Sequence, residues 1–168
     1  VQAVPKLVKK YGLEVSLPDE RLFYGSSIEH FISLYGQYEA ALQQLFEKFE
    51  ISWREVYLNS DVGKERMRLA QEMQIEASEN VLDVGCGRGF FTIAAANHAK
   101  SAVGLDLMNG LGRVGWWKRF RTTMSEFHLD GMVCEVRGTV SAMPFPDEAF
   151  STVASVHAVR NFLKIAIV

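Results

Sequence analysis

The sequence predicts an α/β protein, in which helices and a parallel β-sheet form a three-layer sandwich preceded by a helical extension. Two observations predict this fold class. From Val81 onward, short apolar runs of strand length alternate with segments of helix length, which is typical of right-handed βαβ crossovers. Before that point, apolar residues recur every three or four positions, as on one face of a helix. We therefore expect a helical N-terminal extension over residues 1–78 and a sheet domain over residues 79–168.

The extension is predicted to contain two main helices. Ser26 and Glu29 have the spacing of a capping box at a helix start. The apolar face of the helix that follows consists of Ile28, Phe31, Tyr35, Tyr38, Leu42, Leu45 and Phe49. A second helix is expected over residues 61–74, with Asp61 as its cap. Its inward-facing residues are expected to be Met67, Ala70 and Met73.

Four strands are predicted in the sheet domain. Their ranges are 81–84, 102–105, 132–136 and 152–156. Helices are expected over residues 89–98 and within residues 114–127, between the first three strands. Because these strands are separated by helix-length segments, they should pair in parallel.

Composition and charge disfavour several classes of partner. The chain has 18 basic and 20 acidic residues, a net charge of −2, so no nucleic-acid partner is expected. No apolar run reaches the about 18 residues that a membrane span requires. The two cysteines, Cys86 and Cys134, have neither zinc-site nor disulfide-scaffold spacing, which favours a reducing, cytoplasmic setting. The first residue is not Met, so we expect a processed or trimmed product.

The chemistry is expected at a glycine-rich turn between the first strand and the first helix of the sheet domain. Gly85, Gly87 and Gly89 alternate with single residues, whereas the dinucleotide fingerprint has the form GxGxxG. Asp83 stands two positions before the first glycine. A carboxylate there would repel a pyrophosphate but suits an ammonium group, so the ligand should carry an amino-acid end, as S-adenosylmethionine (SAM) does.

At this turn the chain resembles the class I SAM-dependent methyltransferases, whose first motif has the form acid-x-Gly-x-Gly-x-Gly. Asp106, 21 residues after Gly85, stands where an acid can accept hydrogen bonds from both ribose hydroxyls. Residues 137–147 resemble the family segment GDAxxLPFPD, and residues 150–155 resemble its fourth strand. The resemblance implies a Rossmann-like fold that binds SAM.

The resemblance also implies a set of cofactor-binding residues: Asp83, Gly85, Cys86, Gly87, Gly89, Asp106, Leu107, Thr139, Val140 and Ser155. Thr139 stands where the family usually has an acid, so we expect weaker recognition of the adenine. Residues 144–147 and 159–162 are similar to the ubiquinone/menaquinone-biosynthesis type within the family. The family sheet has seven strands, so we expect this sheet to be incomplete at the C-terminus. A homo-oligomer or a partner chain would then cover its exposed edge.

A few side chains have two interpretations at this stage. His157, just past the fourth strand, is the candidate general base if the acceptor is a hydroxyl or phenol, or else a structural histidine. Trp116 and Trp117 could line the adenine or face the sulfonium, or else pack in the core. Cys86 could be a reactive thiol at a helix start, or else a small packing residue.

Taken together, these features predict a SAM-dependent methyltransferase that acts on a small-molecule acceptor. A non-catalytic SAM-binding or degenerate methyltransferase subunit, which needs a partner chain, is the alternative. A nucleotide-dependent oxidoreductase is disfavoured by the glycine spacing and by Asp83.

Overall fold

The computed structural model describes residues 3–23, 26–107 and 116–156 of the chain. The chain divides into two compact units, residues 1–61 and 62–168. The helices are α1 (Ala3–Tyr11), α2 (Ile28–Phe49), α3 (Trp53–Asn59), α4 (Asp61–Glu72), α5 (Phe90–Ala96) and α6 (Trp116–Glu126), with a 3₁₀ turn at Glu20–Phe23. The strands are β1 (Asn80–Val84), β2 (Ser101–Asp106), β3 (Val133–Arg137) and β4 (Thr152–Ala154).

The first unit is a small helical bundle built around α2. Ser27 caps α2 by accepting a hydrogen bond from the main-chain N–H of His30, so the helix begins one residue later than the predicted Ser26 cap. Tyr38 and Leu45 on the predicted apolar face are buried, whereas Phe31 at the start of that face is 45% exposed. The apolar stripe therefore forms the core of this unit along the middle of α2 and is exposed near both ends, where Phe49 is 37% exposed.

The helix α4 belongs to the same unit as the sheet, although the strand pattern in the sequence starts only near residue 79. Of its predicted inward-facing residues, Ala70 is buried and Met67 is half-buried. The prediction for Met73 is wrong, because α4 ends at Glu72 and Met73 lies beyond it, 39% exposed. The buried polar residue of this helix is Arg66, which the sequence analysis did not single out.

The second unit contains the predicted parallel sheet, with the strand order β3-β2-β1-β4. Each of the four predicted strands is present to within two residues at either end. The helix α5 packs against β1 and β2. A core of Leu82, Val84 and Leu105 joins β1 to β2.

The strand order determines where a ligand can bind. The chain moves from β1 through β2 to β3 on one side, and then returns to place β4 on the other side of β1. Ligands of open parallel sheets bind beyond the carboxyl ends of the strands at such a reversal point. The segment that follows β1, from Gly85 to Gly89, lies at this point, so the topology places the glycine turn at the expected site.

Candidate cofactor site at the glycine turn

The glycine turn has the backbone geometry that its sequence predicts. Gly85, Gly87 and Gly89 have φ angles of 76°, 54° and 74°, in the left-handed region that favours glycine. The main-chain N–H groups of Gly85 and Cys86 both donate to the carbonyl oxygen of Leu105, at 2.7 and 3.2 Å. The turn is therefore attached to the end of β2, and Gly89 caps the start of α5.

Asp106, the predicted ribose-binding acid, contacts the middle of this turn. Its Oδ2 accepts a hydrogen bond from the main-chain N–H of Gly87 at 3.0 Å, and the residue is 7% exposed. The structure thus brings Asp106 and the predicted glycines together at the carboxyl edge of the sheet.

Asp83 lies near the end of β1 and is buried, with 2% exposure. Its Oδ2 accepts a hydrogen bond from the hydroxyl of Thr92 in α5 at 2.7 Å. Burial raises the pKa of Asp83 to about 6, whereas the Thr92 hydrogen bond and the positive charge of Arg66 act in the opposite direction. The nearby Asp106 carboxylate adds to the rise. A cation close to Asp83 would favour its charged form.

The space beneath the turn is filled by Cys86 and Phe120. A Cβ added to Gly104 in β2 would lie 2.8 Å from Cys86 Sγ and 3.1 Å from Phe120 Cε1, and a Cβ on Gly89 would overlap the Phe120 ring. Burial raises the pKa of the Cys86 thiol far above its usual range, and the Asp83 and Asp106 carboxylates add to the rise. These contacts favour the packing interpretation of Cys86 over the reactive one.

The other predicted cofactor residues lie on the strand ends and on the loop after β3. The Thr139 hydroxyl lies 3.1 Å from the Ser141 hydroxyl, and Val140 packs against the apolar core of the sheet. The Ser155 hydroxyl donates to the carbonyl of Val84 at 2.9 Å, which joins the ends of β4 and β1. Leu107 follows Asp106 and is 43% exposed. Their contacts to SAM stay predictions.

Of the side chains with two interpretations, the structure describes Trp117 but not His157. His157, the candidate base, lies outside the described residues. Trp117 is half-buried and stacks on Phe120, with ring centroids 6.2 Å apart. The contact with Phe120 matches the packing interpretation of Trp117.

Three residues that act on this site, Thr92, Phe120 and Arg66, were not predicted from the sequence. A threonine and a phenylalanine inside helices have no pattern that sets them apart from ordinary core residues. Arg66 also looks like one of several charged residues on α4, although it is 8% exposed. A test for charged residues at inward-facing helix positions would have found it.

Comparison with known proteins identifies the family of the chain. A family model described as a methyltransferase domain matches residues 82–166, half of the chain. The chain belongs to the class I SAM-dependent methyltransferases. A cyclopropane-fatty-acyl-phospholipid synthase-like protein from Lactobacillus casei shares the Rossmann-like fold, with a TM-score of 0.50 and 18% identity. That match covers 62% of this chain and 40% of the other.

Two curated relatives are methyltransferases as well. The chain is 28% identical over 134 residues to a demethylmenaquinone methyltransferase from Shouchella clausii, a match that covers 78% of this chain and 49% of that protein. It is 34% identical over 68 residues to a 23S rRNA (uracil(1939)-C(5))-methyltransferase from Pseudoalteromonas translucida, covering 39% of this chain and 15% of that protein. The chain thus spans half the length of the first relative and less of the second.

Two features are absent from the part of the chain that the structure describes. No helix there is both long and apolar enough to cross a membrane. Among the same residues, His, Cys, Asp and Glu side chains form no group of three or more that could hold a metal ion.

Proposed function

We propose that this methyltransferase-family chain binds SAM at the glycine turn and transfers the methyl group to a small-molecule acceptor. The contact between Asp106 and Gly87, at 3.0 Å, carries the proposal. It holds a buried carboxylate beside the glycine turn at the reversal point of the sheet, where an acid can accept hydrogen bonds from a ribose.

The residues of the site fit the two ends of SAM. Asp106 suits the ribose hydroxyls, and Asp83, two residues before the turn, suits the ammonium of the amino-acid end. The glycines leave the main chain free of Cβ atoms, so a ligand can approach it closely. The loop from Thr139 to Ser141 would lie beside the adenine, as the family resemblance implies.

The protein does not need to activate the methyl group, because the cofactor already does so. When bound, SAM supplies a methyl group on a sulfonium, which is already activated for in-line transfer to a nucleophile. The protein aligns the acceptor and excludes water, and orientation alone can supply several kcal/mol of rate enhancement. An acceptor hydroxyl must also lose its proton. We propose His157 as the base that takes it, in keeping with the pKa range of imidazole.

For the acceptor, we propose an apolar aromatic molecule of the quinol type. The similarity to the demethylmenaquinone methyltransferase extends over 78% of this chain, twice the share matched by the rRNA methyltransferase. A net charge of −2 also gives little electrostatic attraction for RNA. We further propose a cytoplasmic setting, in keeping with two free cysteines, and a partner chain or second copy along the edge of β4, where Val153 is 61% exposed.

Two measurements test the proposal. Isothermal titration calorimetry with SAM and with S-adenosylhomocysteine should detect one site, and NAD should not bind. Methyl transfer from radiolabelled SAM should then be observed with demethylmenaquinol and not with a 23S rRNA fragment. Transfer to the RNA alone would overturn the acceptor class, and binding without any transfer would support a non-catalytic subunit. A chain that binds NAD and no SAM would overturn the cofactor.

A further inference from the structure

Arg137, the last residue of β3, contacts the chain just beyond the end of β2. The residue is exposed, yet its Nε donates a hydrogen bond to the main-chain carbonyl oxygen of Leu107 at 3.1 Å. Leu107 directly follows Asp106, the last residue of β2. Arg137 and Asp106 are also register partners in the parallel pairing of the two strands. The contact therefore extends this pairing by one residue, with a side-chain donor in place of a main-chain N–H.

Asp106 is held from two directions as a result. On the β3 side, the main-chain N–H of Gly138 donates to the carbonyl oxygen of Asp106 at 3.1 Å, next to the Arg137 contact. On the other side, the N–H of Gly87 donates to the Asp106 carboxylate at 3.0 Å. Of these three contacts, only that of Arg137 is made by a side-chain donor. A substitution at position 137 can therefore loosen the end of β2 without removing the carboxylate.

We propose that Arg137 is a positioning residue for the nucleoside of SAM. By holding the Leu107 carbonyl, it fixes the end of β2 so that the Asp106 carboxylate meets the ribose hydroxyls. The inference rests on the proposed cofactor site and adds to it a residue that does not itself contact the ligand. A carboxylate held in place before the ligand arrives gives tighter binding, because less conformational entropy is lost on binding. The effect of Arg137 should accordingly concern the ribose and no other part of the ligand.

Two ligands that differ in a single ribose hydroxyl provide the test. S-adenosylhomocysteine and its 2′-deoxy analogue are titrated into the 168-residue chain by calorimetry. Because hydrogen bonds to a charged group are among the stronger ones, the unsubstituted chain should prefer S-adenosylhomocysteine by at least about 10-fold. The ratio of the two affinities cancels any loss that affects both ligands equally, such as a general loosening of the fold.

Two substitutions separate the hydrogen bond of Arg137 from its charge. Arg137→Gln removes the charge but places an amide N–H donor the same number of bonds from the main chain as Nε. Arg137→Met has the same length and no donor. We expect Arg137→Gln to keep the preference for S-adenosylhomocysteine to within about 2-fold. Arg137→Met should reduce that preference at least about 3-fold, in keeping with the loss of one hydrogen bond.

Arg121→Met is the matched control. Arg121 in α6 pairs with Glu135 on β3, and its side chain is 64% exposed. The control removes a guanidinium contact with the same strand but none with Leu107, so the preference should stay unchanged. Circular dichroism establishes that each variant is folded. If Arg137→Met fails to fold, Arg137→Leu takes its place, again without a donor.

The possible failures can be told apart. A folded Arg137→Met variant that keeps the full preference overturns the role of Arg137 and leaves the cofactor site intact. Equal losses in Arg137→Gln and Arg137→Met also overturn it, because the charge and not the hydrogen bond to Leu107 would then matter. An equal loss in Arg121→Met contradicts it as well. If the unsubstituted chain binds both ligands equally, the ribose assignment of Asp106 fails together with this inference. If it binds neither, the whole cofactor site fails.

Discussion

The main-chain N–H of Gly87 donates to Asp106 Oδ2 over 3.0 Å, which ties the middle of the glycine turn to the end of β2. The carbonyl of Leu105, one residue earlier, holds the N–H groups of Gly85 and Cys86. One oxygen of the carboxylate that we assign to the ribose thus also shapes the turn. The acid therefore has a structural role in addition to the ligand-binding role that we propose for it, and substitutions can separate the two.

Asp106→Asn should separate these roles. The asparagine carbonyl oxygen can still accept from Gly87, but the side chain has no charge and no second acceptor oxygen for the ribose. We expect SAM affinity to fall at least about 10-fold, with the free energy of unfolding changed by less than about 1 kcal/mol. Calorimetry and urea unfolding measure the two quantities.

Asp106→Ala is the matched comparison. It removes the partner of the Gly87 N–H as well, so it should lose a further amount of stability, about 1 kcal/mol. Unchanged SAM affinity in Asp106→Asn would show that the ribose does not lie against this carboxylate.

The backbone of the sheet unit and the place of the turn could be predicted from the sequence, because both depend on local patterns. Apolar runs such as residues 81–84 form buried parallel strands, and closely spaced glycines adopt positive φ angles. The predicted ends of the helices and strands were less accurate. The cap of α2 is Ser27 and not Ser26: both serines offer the same hydroxyl, and that of Ser26 donates instead to the carbonyl oxygen of Phe23.

Contacts between distant segments could not be predicted in this way. Phe120 is separated from Gly104 and Gly89 along the chain, and nothing in its own neighbourhood indicates that its ring fills the space beside both glycines. Arg66 is similar, because the sequence around it is that of a solvated helix and its burial results from tertiary packing alone. Such residues are found only once the elements are placed together.

Gly104→Ala should destabilise the sheet unit by about 1–3 kcal/mol, the usual range for overpacking a core. The new methyl group would lie 2.8 Å from Cys86 Sγ and 3.1 Å from the Phe120 ring, both in buried side chains. Urea unfolding followed by circular dichroism measures the change in the free energy of unfolding.

Gly138→Ala is the control for this substitution. Its Cβ would lie 2.8 Å from one methyl group, Leu105 Cδ1, whereas a Cβ at Gly104 meets both Cys86 and the Phe120 ring, so the loss should be smaller. Combining Gly104→Ala with Cys86→Ala removes the sulfur and should recover part of the loss. Equal losses at Gly104 and Gly138 would mean that Cys86 and Phe120 do not constrain β2.

Asp83 should make the stability of the protein fall as the pH rises from about 4 to about 6. Its pKa is raised from the ordinary 3.8 to about 6, first by burial, so in this interval the folded protein keeps a proton that the unfolded chain has lost. This pKa difference corresponds to about 3 kcal/mol in the free energy of unfolding. Protonated Asp83 contributes this stability in full below about pH 4, and the contribution is lost above about pH 6. Asp83→Asn cannot titrate and should become more stable than the unsubstituted chain by a growing margin across this interval.

Thr92→Val provides an independent check on the same titration. Because the hydrogen bond from Thr92 lowers the pKa of Asp83, its removal should move the midpoint of the stability change to higher pH. Urea unfolding at a series of pH values from 4 to 8 measures both variants. A stability difference between Asp83→Asn and the unsubstituted chain that does not vary with pH would mean that the carboxyl group titrates normally.

The two cysteines should react with a thiol reagent at very different rates. Cys134 is exposed on β3, whereas Cys86 is buried in the turn and its pKa is raised by burial and by two neighbouring carboxylates. Since the thiolate is the reactive form, dithionitrobenzoate should modify one thiol rapidly in the folded chain and the second on the order of 100-fold more slowly.

Cys134→Ser should abolish the rapid phase, and denaturant should restore reaction at Cys86. Because the slow rate depends on the packing of Cys86 against Gly104 and Phe120, Gly104→Ala should accelerate it by loosening that contact. Rapid modification of Cys86 in the folded Cys134→Ser variant would instead show that the thiol is open to solvent at the turn. The reactive-thiol interpretation would then replace the packing one, and SAM should protect Cys86 from the reagent.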